Sequence, residues 1–205
     1  MAASVVILDY GSGNLRSAER AVARTGVDVT VTSDLAAAAA ADGLVVPGVG
    51  AYAACMAGIE SLRAGPVIAE RVAAGKPVLG ICVGMQILFE SGVEHGVETK
   101  GLGLLPGSVT KLSAERIPHM GWNTVDVPAG SRLLAGLGAE ARFYFVHSYA
   151  AQDLDLLTSA VVTTASHDQP FAAVVEAGAL SAAQFHPEKS ADSGYRLLGN
   201  WVATL

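Results

Sequence analysis

Three short apolar runs, Val5-Val6-Ile7-Leu8, Gly43-Leu44-Val45-Val46 and Pro77-Val78-Leu79, each lead into a glycine-containing turn followed by a helical pattern. Unbroken apolar runs of this length read as strands buried on both faces, the mark of a parallel sheet. Parallel strands need crossovers, and helical spacing supplies them. Leu15, Ala18, Val22 and Ala23 share a stripe that Gly26 ends, and Asp34 caps an alanine-rich helix running to Ala41. Val27–Thr32 alternates as a strand, and Leu62–Gly75 is helical. Cys55, among alanines on the preceding helix, reads as small core filler. After Phe89 the texture changes to short strand-like pieces at 107–111, 124–127, 142–146, 159–163, 172–175 and 180–185, and a helix from about Asp192 to Val202 follows. The expectation is an α/β fold: a central mixed, mostly parallel sheet flanked by helices, with antiparallel additions in the second half and residues 1–205 as one domain.

The third run carries the chemistry. Gly80-Ile81-Cys82-Val83-Gly84-Met85-Gln86 has the order strand, glycine, reactive residue, glycine, helix, which is the pattern of a nucleophile elbow. Glycines two before and two after Cys82 leave room where a Cβ would crowd the turn. The Val83 amide and a helix start beside the thiol favour a thiolate and a developing oxyanion. Two cysteines make no disulfide framework, and a reactive thiol suits a reducing cytosol. Met1-Ala2-Ala3-Ser4 has no basic residue and reads as no secretion signal. No apolar run reaches the roughly 18 residues that span a bilayer. A formal charge of −6 argues against nucleic acid as a partner, and no Cys or His spacing suggests a metal. Gly11-x-Gly13 invites a dinucleotide reading, but Arg16 stands where the third glycine belongs. Pro47-Gly48-Val49-Gly50 allows unusual backbone angles, so an amide there can face a ligand; turn chemistry explains the glycines equally well.

A thiol needs a base. His95 and His167 lie in polar, loop-like stretches and read as solvated; His119 and His147 sit beside aromatic strands and read as structural. His186 differs, because Pro187 keeps it in extended geometry and Glu188 lies two residues on, on the same side of an extended chain. A carboxylate there fixes the tautomer and stabilises the imidazolium.

These residues resemble the class I, or triad, glutamine amidotransferases. Leu8-Asp9-Tyr10-Gly11-Ser12-Gly13-Asn14-Leu15, Pro47-Gly48-Val49-Gly50-Ala51-Tyr52, Pro118-His119-Met120-Gly121-Trp122-Asn123, Tyr144-Phe145-Val146-His147-Ser148-Tyr149 and Phe185-His186-Pro187-Glu188-Lys189-Ser190 narrow the resemblance. They are similar to the glutaminase subunits of imidazole glycerol phosphate synthases, which serve histidine biosynthesis. The resemblance implies a Cys82–His186–Glu188 triad that hydrolyses glutamine without a cofactor. It implies an oxyanion hole from the Val83 amide and an amide at Val49 or Gly50, one of which needs a peptide reorientation. It implies substrate contacts at Gly50, Gln86 and the backbone near Ser148 and Tyr149. It further implies a heterodimer with a (β/α)8 cyclase subunit that receives the ammonia, docked through Asn14, Trp122, Tyr144 and Lys189. Other readings of the elbow are a glutaminase serving another synthase, such as the pyridoxal phosphate one, a stand-alone cysteine hydrolase, or a non-catalytic regulatory subunit. The segment Pro118–Asn123 speaks against the first of these, and the intact triad against the last.

Overall fold

The computed structural model describes residues 2–205. Its first half alternates strand and helix: β1 (Ser4–Leu8), α1 (Leu15–Ala23), β2 (Asp28–Thr32), α2 (Leu35–Ala40), β3 (Gly43–Gly48), α3 (Tyr52–Leu62), α4 (Ala64–Ala73), β4 (Val78–Cys82) and α5 (Val83–Gln86). The second half is strand-rich: β5 (Phe89–Glu94), β6 (Val97–Lys100), β7 (Leu105–Lys111), β8 (His119–Thr124), β9 (Arg142–His147), β10 (Tyr149–Ala151), β11 (Val161–His167), β12 (Gln169–Ala177) and β13 (Leu180–Ala183), then α6 (Ala191–Val202). No helix among the described residues is long and apolar enough to cross a membrane.

The main sheet has seven strands in the order β11-β12-β13-β4-β3-β1-β2. β2, β1, β3, β4 and β13 run parallel, and β12 and β11 add antiparallel at one edge. β3 and β4 are buried along their whole length, as continuous apolar runs require, whereas the edge strand β2 is half exposed and alternates. The chain leaves β1 toward β2 and then returns across it to β3. Right-handed crossovers therefore send α1 and α2 to opposite faces. α1 packs with α6, and α2 packs with α4.

The alanine-rich α2 is held at both ends. Asp34 accepts hydrogen bonds from the Ala36 and Ala37 amides at its start. At its end the buried Arg71 guanidinium donates to the carbonyls of Ala38, Ala39, Ala41 and Asp42, and also to that of Pro77 before β4. A single fork thus satisfies carbonyls that a six-residue helix leaves open.

Two expectations need correction. Of the second-half strands, β11 and β12 add to the main sheet as its antiparallel edge and β13 joins it in parallel; β5, β6, β7 and β10 form a separate four-stranded sheet, and β8 and β9 a two-stranded ribbon. The piece at 124–127 is not a strand, since Thr124 ends β8 and Asp126 makes one isolated bridge to Thr164. The ribbon is nonetheless well anchored. Phe143 stacks on Phe185 at 4.1 Å, and Phe145 meets Phe171 edge-on at 5.8 Å, so β9 is clamped over the end of β13.

Candidate active site

β13, β4 and β3 are neighbours, so the segments leaving their carboxyl ends stand side by side. Gln184 and Val49 open the segments after β13 and β3, and Cys82 is the last residue of β4, which is how residues far apart in sequence meet. Carboxyl ends of parallel strands are the usual ligand edge of such sheets.

Cys82 closes β4 with φ 56° and ψ −116°, a strained conformation for a residue with a side chain. The glycines beside it are sterically required. A Cβ on Gly84 would overlap the Val46 carbonyl, and one on Gly80 would lie 2.8 Å from the Gly84 carbonyl oxygen. The helix that follows is a single turn, and Phe89 already opens β5. The first N–H of that turn, on Val83, has no intrahelical acceptor and lies beside the sulfur.

His186 is extended, with φ −100° and ψ 97°, as Pro187 dictates. Its Nδ1 is 2.8 Å from Glu188 Oε1. The pairing arises differently from the expected alternation: Pro187–Lys189 forms a 3-10 turn that folds Glu188 back onto the ring. Ser190 Oγ donates to the His186 carbonyl at 2.6 Å, and the His186 amide donates to the Tyr144 carbonyl at 3.0 Å, so the base is fixed on both sides. With Nδ1 committed to Glu188, Nε2 is the nitrogen left for Cys82, which lines the same cavity. Burial opposes the imidazolium, but its interactions with nearby Cys82 and with hydrogen-bonded Glu188 outweigh it, and the His186 pKa is pushed up to about 9.

A cavity of about 250 Å³ opens onto this pair, lined also by Val49, Gly50, Val83, Gln86, Glu94, Ser148, Tyr149 and Lys189. Every residue expected to contact substrate is therefore brought to one place. Gln86 is buried and donates Nε2 to the Tyr149 carbonyl at 2.9 Å and to Gln184 Oε1 at 3.0 Å, so its own carbonyl oxygen remains for a ligand. Two residues escaped the sequence reading. Glu94, at the end of β5, accepts from the Tyr52 amide at 2.9 Å and brings a carboxylate to the cavity wall. Gln184 is buried with its Nε2 3.9 Å from Cys82 Sγ. No motif marked Glu94; Gln184 stood in plain view two residues before His186.

The loop after β3 does not present the Val49 amide as a free donor. Val49 N–H donates to Ser12 Oγ at 3.1 Å, and Ser12 Oγ donates back to the Val49 carbonyl at 2.9 Å. Cys55 Sγ lies 3.2 Å from Ser12 Oγ and 3.4 Å from the Val49 carbonyl oxygen. Cys55 is thus a buried member of a polar cluster and not mere filler; burial pushes its thiol pKa up, against the hydrogen bonds that lower it. Gly50 takes φ 85°, a position any side chain would resist.

His119 and His147 are structural, as expected. His147 Nδ1 donates to the Tyr149 carbonyl at 3.0 Å, which leaves Nε2 to accept from His119 Nδ1 at 3.0 Å. Asn123 Nδ2 then donates to His119 Nε2 at 3.2 Å, completing one neutral tautomer chain. Burial first, then neighbouring imidazoles, lower their pKa values to about 4 for His119 and about 3 for His147. His167 departs from the solvated reading: it stacks on His119 at 4.5 Å, with Nε2 2.6 Å from the Arg116 carbonyl oxygen. His95 is exposed, in line with expectation.

Of the expected docking residues, Trp122 is 50% exposed and meets Tyr144 edge-on across the ribbon at 6.0 Å. Lys189 is exposed at the cavity rim, and Asn14 is half-buried at the start of α1 with no capping bond from its side chain.

The family model described as glutamine amidotransferase class-I matches residues 6–203. The chain belongs to that family. Among class I amidotransferases it is 59% identical over 210 residues to the imidazole glycerol phosphate synthase subunit HisH of Streptomyces avermitilis, covering 100% of this chain and 98% of the relative. It is 63% identical over 201 residues to the protein of the same name from Mycobacterium tuberculosis, covering 98% of each. Solved structures agree on the amidotransferase fold. PurLQS from Thermotoga maritima superposes with a TM-score of 0.73 at 19% identity, covering 99% of each chain. A crystal structure of a glutamine amidotransferase gives 0.67 at 19% identity, covering 97% of this chain and 98% of that one.

Proposed function

We propose that this class I amidotransferase, acting through residues 1–205 as one unit, is the glutaminase subunit of an imidazole glycerol phosphate synthase. The observation that carries the chemistry is His186, held by Glu188 on one nitrogen and lining, together with Cys82, one cavity of about 250 Å³. Identity near 60% to proteins named HisH subunits supports the choice of synthase.

Cys82 thiolate attacks the side-chain carboxamide carbon of glutamine. The carbonyl π pair moves to oxygen, where the Val83 amide meets the developing charge. His186 gives its Nε2 proton to the departing nitrogen, ammonia leaves, and a glutamyl thioester remains. His186 then takes a proton from water, hydroxide adds to the thioester, and the sulfur leaves as glutamate forms. Glu188 holds the ring and stabilises its charged form in both steps. The Glu94 carboxylate and the free Gln86 oxygen suit the α-ammonium of the substrate, and the backbone at Gly50, Ser148 and Tyr149 suits its carboxylate.

Ammonia in water at neutral pH is mostly protonated and loses its nucleophilicity, so release into solvent would defeat the synthesis. We infer that the partner is a (β/α)8 cyclase, seated over the cavity on Trp122, Tyr144, Lys189 and Asn14 and receiving ammonia directly. Trp122 is the natural anchor, being a half-exposed aromatic on a rigid ribbon. The Val49 amide, engaged by Ser12, belongs to a resting state. Binding of the cyclase ligand favours the turned loop in which that N–H serves as the second oxyanion donor. The deciding experiment measures ammonia release from glutamine by the chain alone, by its complex with the cyclase, and by the complex with acceptor ligand. Activity confined to the loaded complex supports the proposal; equal rates in all three refute the gating, and no glutamine hydrolysis in any refutes the function.

A further inference from the structure

Gln184 leaves β13 fully buried. The parallel register pairs Ala183 with Ile81, so one step on Gln184 stands level with Cys82. A buried primary amide needs partners for both of its ends, and density of atoms alone does not say which end is which. Here a group that cannot be turned round decides it. The Tyr149 backbone carbonyl only accepts, and Gln86 lies 2.9 Å from it, so Gln86 presents Nε2. That nitrogen is also 3.0 Å from the Gln184 amide, whose facing atom must therefore be Oε1. The Gln184 nitrogen is left pointing at Cys82 Sγ, 3.9 Å away. The anchor itself is immobile, because His147 Nδ1 donates to the same carbonyl at 3.0 Å.

We propose that Gln184 is a donor to the nucleophile: its Nε2–H hydrogen-bonds the ionised sulfur of Cys82 and, together with His186, favours the reactive form. The proposal rests on Cys82 being the nucleophile. A separation of 3.9 Å is long for a neutral thiol, which accepts weakly; a charged sulfur accepts more strongly and draws the N–H closer. The amide offers something the imidazole does not. His186 surrenders a proton and regains one during each turnover, whereas an amide keeps its hydrogens and donates to the sulfur whenever charge sits there. That includes the second step, when the sulfur departs from the thioester as thiolate.

The test follows alkylation of Cys82 by iodoacetamide in the full-length chain, read on the Cys82 peptide by mass spectrometry so that Cys55 is not counted. Wild type, Gln184→Met, Gln184→Glu and His186→Ala are compared at pH 7 and pH 10. Gln184→Met removes the donor at similar volume, and its alkylation at pH 7 is expected to slow about tenfold, the weak end for a bond to a charged group. At pH 10 the difference shrinks, because hydroxide ionises the thiol without help; a merely structural role would not produce this pH dependence. Gln184→Glu is expected to slow further at pH 7, since a carboxylate then faces the thiolate, and it carries the test if the Met variant does not fold. Wild-type rates in both folded Gln184 variants, with His186→Ala still slow, would overturn the Gln184 assignment alone. Rates indifferent to His186→Ala as well would overturn the reading of Cys82 on which it stands.

Discussion

Replacing Ser12 with alanine should partly unlock the resting enzyme. Ser12 Oγ accepts from the Val49 amide at 3.1 Å and donates to the Val49 carbonyl at 2.9 Å, so the substitution deletes two neutral hydrogen bonds at once. At about 0.5–1.5 kcal/mol each, their loss shifts the loop equilibrium by about 1–3 kcal/mol toward orientations that free the amide. That corresponds to about 5–150-fold in population. The gain in rate is capped by what one oxyanion donor contributes, about 10²–10³-fold. A rise of about tenfold in ammonia release by the isolated chain is the central expectation. If the stimulated complex holds the loop turned, as proposed, its rate should change little, so the ratio of stimulated to basal rate contracts by the same factor. Cys55→Ala, which removes only the 3.4 Å thiol contact with the carbonyl and the 3.2 Å contact with Ser12, should raise the basal rate by a few-fold at most. The assay couples glutamate formation to a dehydrogenase, with thermal unfolding as a check on folding. An unchanged or lower basal rate in a folded Ser12→Ala chain, with stimulated activity intact, would refute the latch.

Cys82→Ala should abolish glutamine hydrolysis while the complex still synthesises product from ammonium salts; residual glutaminase activity would contradict the nucleophile assignment. Glu188→Gln should cost less than His186→Ala, because it removes orientation and charge stabilisation but leaves the base, and steady-state kcat for both variants tests the order. His119 and His147 bind protons less readily folded, at about 4 and about 3, than at the unfolded value of 6.5, so acid favours the unfolded chain. Their contribution is intact above pH 6.5 and falls below it, by about 2 kcal/mol per ring at pH 5. Urea midpoints at pH 7 and pH 5 should diverge less in His119→Gln than in wild type. His186 has the opposite sign: its pairing stabilises fully below pH 6.5 and fades as pH rises through about 9. Trp122→Ala should weaken cyclase binding by about 2 kcal/mol, or about 30-fold in Kd, without altering the thermal midpoint of the free chain.

The strands that carry the site were legible because burial on both faces leaves a continuous apolar signature, as in β3 and β4, and because glycine turns punctuate them. The base was legible because proline restricts the residue before it whatever the surroundings. β5 and β6 were not, since Ser91, Gly92, Glu98 and Thr99 carry neither period; β6 pairs with β5 and β5 in turn with the later strand β7. Glu94 and Gln184 were hidden for a related reason: a polar residue declares its partner only when the fold supplies one far away in sequence. The same holds for Arg71, whose guanidinium closes the end of a helix some thirty residues upstream.

Tyr144 has a place on both sides of β9. Its ring lies beside Trp122, while its main chain grips the base: the carbonyl accepts from the His186 amide, and its own N–H donates to Ser190 Oγ. Any body that presses on that ring presses on the scaffold of His186, and through stacked Phe143 and Phe185 on the end of β13 as well. This half of the site behaves as a floor, stiffened further by assembly. Compliance is left to the opposite wall, where the Ser12 hydroxyl and the Cys55 thiol are the side chains bonded to the Val49 peptide and Gly50 beside it is free of a Cβ. A signal arriving from a partner docked there would therefore meet one surface that resists and one that can yield, and only the second can be turned into a change of rate.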